Sequence, residues 1–471
     1  MNAPAPTVPR YYESLDFPEL WKEFPTASEY QDGVARMPAA ELRALQERRF
    51  LAQVQRAWQI PFYQRHWSQA GLKPQHIRSL SDLAAIPPFS VHDLRDALAR
   101  NPPWGDFMGI DPDRDPPMPL VMQTSGGTTG LPRPMLYSPR DREVMNILTG
   151  RRLHMQGVRP YDLVQVMLSL GLSNGGFLAR EGIWKYTGAV PVMTGTGAVT
   201  PTRRQIEIMQ TWKTTQLVAF PAYLRHIGLL LRDELHIDPR SLGIKGLIVH
   251  LGVDDREELE ALWGAPVYDT YGTNECGSLA ADCSERTGMH IFEDAFVLEI
   301  ADPDTLRPVA DGERGVILQT TLFKHFAPLI RFNSNDISSI VPGHCPCGGT
   351  HRRLSCIFGR ADNMVKLRGT NVFPEAIGAL VAEHPSSNGE YLCIVDQDAT
   401  GRDHMTVLVE TDLGGRERET MAAQLADRFK EALGVKLAVT TVAPGELDAR
   451  TGLSSASKVR RLIDNRPKDK R

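Results

Sequence analysis

Between residues 120 and 340, short runs of β-branched and aliphatic residues alternate with stretches of helical periodicity. That alternation limits the fold more than any other feature of the chain. Residues 164–168, 217–220, 247–249 and 267–269 read as buried strands, and residues 205–212, 223–234 and 255–262 as the helices between them. Strands that return through a helix build an α/β structure with a largely parallel sheet. Residues 297–300 and 316–320 are strand-like with no such helix between them, which predicts an added β subdomain. Upstream, Leu42, Leu45, Phe50, Leu51, Val54 and Trp58 recur at helical spacing, and Pro61 is expected to end that helix. Residues 1–38 predict an irregular arm, and the Pro-, Asp- and Gly-rich residues 101–119 a loop. After residue 361 the pattern restarts with strands at 364–367, 391–395, 406–410 and 437–442 and helices at 375–382 and 416–433. The expected architecture is a large lobe, 1–361, and a small α+β lobe, 362–471, hinged between them.

Length and charge narrow the function. The chain has 471 residues, too many for one compact domain, and 42% of them are hydrophobic, enough for large cores. A net charge of −4 argues against nucleic acid as the main partner, because binding a phosphate backbone needs a concentrated basic face. The basic tail Arg466–Arg471 reads as a solvated end. No run of 18 apolar residues exists to span a membrane, and the N-terminus lacks the pattern of a secretion signal. Six cysteines in such a chain suggest reduced thiols or metal ligands, so a soluble cytoplasmic protein is expected.

Four motifs carry chemistry. In Thr124-Ser-Gly-Gly-Thr-Thr-Gly-Leu-Pro-Arg133 the glycines free the backbone to present N–H groups to an anion, and the hydroxyls add donors. It is not a P-loop, since Leu131 follows Gly130; a plain Gly/Thr turn is the alternative. Gly171-Leu-Ser-Asn-Gly175 matches the nucleophile elbow of serine hydrolases with Ser173 as nucleophile, or is a simple glycine turn. In Tyr268-Asp-Thr-Tyr-Gly-Thr-Asn-Glu-Cys-Gly277, an aromatic ring beside glycine can stack on a base and a carboxylate can hold Mg²⁺. Finally, Cys283, His290, Cys345 and Cys347 supply four soft ligands, the number a structural Zn²⁺ requires, or are four unconnected groups. Cys276, Cys356 and Cys393 read as buried small apolar residues.

With Arg331-Phe-Asn-Ser-Asn-Asp336, Phe358-Gly-Arg360-Ala-Asp362, Gly369-Thr-Asn-Val-Phe-Pro374 and Ser454-Ser-Ala-Ser-Lys458, the order of these motifs resembles the adenylate-forming superfamily. Within it the chain is most similar to the phenylacetate–CoA ligase family, through Gly288–Asp294, Pro328–Phe332 and Pro342–Gly348. The resemblance implies that ATP and a carboxylate give an acyl-adenylate and pyrophosphate, after which the thiol of coenzyme A displaces AMP. It implies that Ser125, Gly126, Gly127, Thr128, Thr129 and Gly130 hold phosphates, with Tyr271, Gly272, Thr273 and Asn274 around the nucleotide. Glu275 would bind Mg²⁺, Asp336 the ribose hydroxyls, and Arg360 the ribose and phosphate. Asp362 would be the hinge of a mobile C-terminal lobe, and Gly369 would line the pantetheine tunnel of CoA. Lys458 would be catalytic, bridging the carboxylate and the α-phosphate.

Three positions depart from that pattern: Asn274 where Ser or Thr is usual, His250–Gly252 in the turn flanking adenine, and Ser457 in place of a glycine. The acid pocket aligns with residues 168–177, giving Leu172, Ser173 and Gly175, with Phe220, as its wall. Ser173 falls where an aromatic residue is expected, so a bulkier or more polar aryl or arylacetic acid than phenylacetate is anticipated. Transfer to a carrier protein instead of CoA, a serine hydrolase, and a non-catalytic nucleotide binder are the alternatives. Relatives are commonly homodimers.

Overall fold

The buried aliphatic runs of the large lobe form five parallel strands, in the order Val267–Thr273, Gly246–Val249, Gln216–Val218, Leu163–Val166, Val190–Met193. The computed structural model describes residues 8–110, 115–125, 133–367, 370–397, 402–453 and 459–466. Helices Gly175–Tyr186, Thr202–Trp212, Pro221–Leu229 and Arg256–Trp263 make the crossovers. Successive strand residues point to opposite faces, and both faces are covered. Leu217, Leu247 and Val267 pack with Leu224, Ile227 and Trp263 on one side. Val164, Val166, Val218 and Ile248 pack with Ala179 and Ile183 on the other.

The sheet is mixed. Beyond Val267–Thr273 it continues through the antiparallel strands Gly277–Ala281, Met289–Ile291, Arg353–Leu354 and Ile340–Val341. The expected β subdomain is a separate antiparallel sheet of Phe296–Ala301, Gly315–Thr321, Phe332–Ser338 and Gly359–Arg360.

Two local expectations need correction. The helix Ala39–Ala57 ends at Trp58 without help from Pro61, which instead opens the next helix, Pro61–Gln69. The first helical turn has no acceptor for an N–H, so proline costs nothing there. The N-terminal arm is not irregular from residue 8 on: it holds the short helices Phe17–Glu23 and Ala27–Asp32. The small lobe has strands Ala438–Val442, Asp403–Glu410, Tyr391–Gln397 and Leu462–Asp464 side by side. Its core joins Val395 and Val407 to Leu425 and Phe429 of the helix Gly415–Leu433. Among the described residues no helix is long and apolar enough to cross a membrane.

Candidate active site

Parallel strands leave a crevice beyond their carboxyl ends, and the candidate residues gather there. Phe220 follows Gln216–Val218, His250 follows Gly246–Val249, and the two rings stack with centroids 6.1 Å apart. Residues 167–174 follow Leu163–Val166, and Tyr271–Thr273 end the strand Val267–Thr273. The turn at His250–Gly252 is fixed from beneath, where Asp269 Oδ1 accepts from Leu251 N at 2.8 Å. Burial, then the charge of Asp282, pushes the Asp269 carboxyl up to about 7.

A hairpin closes the crevice. Its strands Val121–Ser125 and Arg133–Tyr137 pair so that Ser125 faces Arg133, at either end of the Gly-rich segment. Thr124 N donates to Leu172 O at 2.8 Å, and Tyr137 Oη donates to Asn274 O, so the stem of the hairpin is bonded to the strand ends. Gly126–Gly130, Gly369 and Lys458 lie outside the described residues, as does the side chain of Ser125.

The remaining candidate residues form one chain of contacts. Tyr271 Oη donates to Asp336 Oδ2 at 2.8 Å and accepts from Gln319 Nε2 at 2.9 Å. Burial, then the Asp336 charge, holds the Tyr271 phenol well above its ordinary range, so it stays a donor. Arg360 Nη1 donates to Asp336 Oδ1 at 3.0 Å, from the position paired with Asp336 across the sheet. The same guanidinium grips Asp362 at 2.8 and 2.7 Å. Burial alone would lower Arg360, but Asp362 and Asp336 carry it above its ordinary value. Gly272 lies where a Cβ would meet Gly277 O at 2.6 Å, so the strand pair can close only around glycine.

Comparison with known proteins settles the family. The family described as AMP-binding enzyme C-terminal domain matches residues 369–466. A phenylacetate–coenzyme A ligase of Aromatoleum evansii is 32% identical over 91% of this chain and 96% of its own length. One from Thermus thermophilus is 30% identical over 93% and 99%. The chain belongs to the phenylacetate–CoA ligase family. It is an adenylate-forming, AMP-forming acid–thiol ligase that binds an acid, ATP or AMP, and CoA. Among solved structures, 2-hydroxyisobutyryl-CoA ligase in its postadenylation state with R3-HIB-AMP superposes with a TM-score of 0.81, at 28% identity over 91% of each chain. In its thioesterification state the same protein scores 0.66, and in an open conformation 0.65.

In the ligase, Ser173 is no elbow nucleophile. The elbow needs a serine on a sharp strand-to-helix turn. Here the strand ends at Val166 and the helix begins at Gly175. The Ser173 hydroxyl faces Asn274 Oδ1 at 3.5 Å, and among the described residues it has no imidazole partner. Asn274 therefore organises the loop before the helix Gly175–Tyr186: its Oδ1 also accepts from Asn174 N at 3.1 Å, and its carbonyl from Asn174 Nδ2 at 3.3 Å. Leu172 and Gly175 are exposed, and Phe220 is half-buried.

Two cations went unnoticed in the sequence. Arg133 is buried and ion-paired with Glu275, and its Nε and Nη1 meet no partner among the described residues. Lys324, fully buried, donates to Glu275 O at 2.9 Å over the Tyr137 ring. Burial lowers its ammonium. Arg133 had a signal, since it stands two residues after Leu131 in the loop motif. Lys324 had none.

The four soft ligands come together. The ligand atoms of Cys283, His290, Cys345 and Cys347 all lie within 4.8 Å of one another. Cys283 Sγ and Cys345 Sγ are 3.7 Å apart, and Cys347 Sγ is 3.4 Å from His290 Nε2. A tetrahedron with Zn–S of about 2.3 Å and Zn–N of about 2.05 Å has edges of about 3.8 and 3.6 Å, so the quartet fits zinc. Backbone N–H groups of Glu285 and Gly349 already point at Cys283 and Cys347 sulfur, both at 3.4 Å. Burial brings His290 down to about 4, which keeps its imidazole neutral. Of the other cysteines, Cys276 and Cys393 are buried, but Cys356 is only half-buried, in the connection between the strands Arg353–Leu354 and Gly359–Arg360.

Proposed function

We propose that the ligase activates an aromatic acid, aryl or arylacetic, and passes it to CoA. The observation that carries this is the juxtaposition at neighbouring strand ends of an aromatic wall, Phe220 on His250, with the pocket loop of Leu172, Ser173 and Gly175. A flat ring can lie against such a wall. The relatives from Aromatoleum and Thermus, both phenylacetate ligases by name, support the same class.

In this reading Ser125–Gly130 hold the phosphates and Tyr271–Asn274 flank the nucleotide. Asp336, pre-oriented by Tyr271 and Arg360, accepts the ribose hydroxyls. Glu275 is a hard oxygen ligand suited to Mg²⁺, which when bound would neutralise phosphate charge. Arg133, beside Glu275, adds a guanidinium whose fork matches phosphate. Lys458 is the catalytic cation, Gly369 lines the CoA tunnel, and Asp362 is the hinge between lobes 1–361 and 362–471. Cys283, His290, Cys345 and Cys347 hold a structural Zn²⁺. A homodimer in the cytoplasm completes the reading.

A panel of acids scored by pyrophosphate release tests it. Indoleacetate and naphthoate are expected to exceed phenylacetate in kcat/KM, and phenylacetate to exceed 2-hydroxyisobutyrate. A preference for the hydroxy acid would overturn the aromatic assignment, and a preference for phenylacetate the roomier pocket.

The metal is tested separately. Elemental analysis of the purified protein is expected to find one zinc per chain, and Cys345→Ser to lose it. Four ligands close the site to substrate. Zinc loss should therefore lower the melting temperature while KM for the acid holds. A protein without stoichiometric zinc at its native melting temperature would refute the site.

A further inference from the structure

Away from the nucleotide crevice, five charged side chains meet where the small lobe lies against the large one. Arg225, on the helix Pro221–Leu229, is buried and grips Glu258 bidentately at 2.9 and 2.8 Å, with Asp254 at 3.5 Å. On the small lobe, Arg461 Nη1 and Nη2 hold the Glu390 carboxylate at 2.8 and 3.1 Å, and the guanidinium stacks on Tyr391 at 4.5 Å. The lobes meet between the two groups: a Cβ placed on Gly389, next to Glu390, would lie 3.2 Å from Arg225 Cδ. Gly389 has φ +81°, a conformation that admits Arg225 there without a side chain in the way.

The charges are complementary across the boundary. Arg225 feels Glu390 of the small lobe as well as Asp254 and Glu258 of its own. Asp254, raised by burial, is drawn back by Arg225 and by Arg461 of the small lobe. Each lobe thus brings one arginine and at least one carboxylate, and the charge of each acts on a group of the other lobe.

We infer that Arg225, Asp254, Glu390 and Arg461 form a clasp that docks the small lobe in its adenylating pose, making them positioning residues for the first half-reaction. The whole chain superposes on 2-hydroxyisobutyryl-CoA ligase better in its postadenylation state, at a TM-score of 0.81, than in its thioesterification or open states, at 0.66 and 0.65, so the clasp is closed in the lobe arrangement in which the adenylate forms. Arg461 lies three residues beyond Lys458, so fixing Arg461 limits where that lysine can reach to about 10 Å. A clasp of charges suits a joint that must open every turnover. Ion pairs at a lobe boundary rehydrate on separation, whereas a large apolar face would resist it.

This inference rests on the acid–thiol ligase reading, and one set of variants separates the two. Arg225→Gln, Glu390→Gln and the double variant are assayed for acid-dependent ATP–pyrophosphate exchange and, separately, for thioester formation from supplied acyl-adenylate and CoA. Each single variant is expected to lower exchange about tenfold, the double variant to be no slower than either single, and thioester formation to hold or rise. Asp254→Asn, which spares the buried Arg225–Glu258 pair, should repeat the pattern more weakly, and melting curves check that the fold persists. Equal loss in both half-reactions, or single effects that multiply in the double variant, would overturn the clasp. Absence of exchange in the native protein with every acid would instead sink the ligase reading.

Discussion

Lys458→Ala is expected to cut acid-dependent pyrophosphate release by about 10²–10³-fold while thioester formation from supplied acyl-adenylate persists. A carboxylate attacking the α-phosphate joins two anions, and a transition-state contact of this kind contributes about 3–4 kcal/mol. Arg360 and Arg133 do not replace it, because each has its charge balanced by the carboxylates it is paired with. Arg360 is clamped between Asp336 and Asp362, and Arg133 is paired with Glu275. Arg133 with Glu275 sums to zero, and Arg360 with its two carboxylates is negative in sum, so the additional positive charge has to come from elsewhere. Two unit charges 4 Å apart attract by about 4 kcal/mol at an effective dielectric of 20, enough to account for the whole loss. Lys458→Arg should recover part of the rate, since the charge returns on a bulkier, planar head. Stopped-flow pyrophosphate detection and a CoA-thioester assay read the two steps; a loss shared equally between them would remove Lys458 from adenylation.

The parallel half of the sheet was legible because its strands are buried on both faces and so read as continuous aliphatic runs, Leu247–Val249 being the clearest. The antiparallel half was not. Gly277–Ala281 is Gly, Ser, Leu and Ala, a strand built by its neighbours and not by propensity. Pro61 misled because a proline before a helix and one after it look alike without the caps. The Cys/His quartet was legible by ligand count, even though 62 residues separate Cys283 from Cys345. The Arg133–Glu275 pair spans 142 residues and the clasp joins two lobes. Such contacts belong to the tertiary arrangement, and no local pattern marks them. Asn274 was visible as a departure from the family, but its consequence emerged only with Asn174 and Ser173 bonded to it.

Asp294→Ala is expected to cost the large lobe about 3–5 kcal/mol, more than any surface change. Asp294 is 1% exposed and sits between two guanidinia. Arg151, fully buried, donates to both carboxylate oxygens at 3.1 and 2.9 Å and to Pro25 O at 2.7 Å, and its guanidinium lies 4.1 Å over the Tyr30 ring. Arg49 donates to the Asp294 carbonyl and, at 2.6 Å, to Glu23 O, and stacks 4.2 Å over Phe24. Burial alone would raise the Asp294 carboxyl, yet Arg151 and Arg49 outweigh it and hold it below its ordinary value, so the anion is the stable form. Removing it strands Arg151 in a dry site and leaves Arg49 only the Glu23 carboxylate at 4.0 Å, and the cost comes from that unpaired charge more than from the lost bonds. The N-terminal arm is held through these arginines by Glu23, Pro25 and the rings of Phe24 and Tyr30, so it should loosen first. Asp294→Asn, which keeps the carbonyl acceptor and the volume, should cost less than alanine. Urea denaturation followed by tryptophan fluorescence gives the size of the loss, and proteolysis near residues 24–37 its location. Equal stability of Asp294→Ala and the native protein would mean the arginines find water, and that the site is wetter than its burial implies.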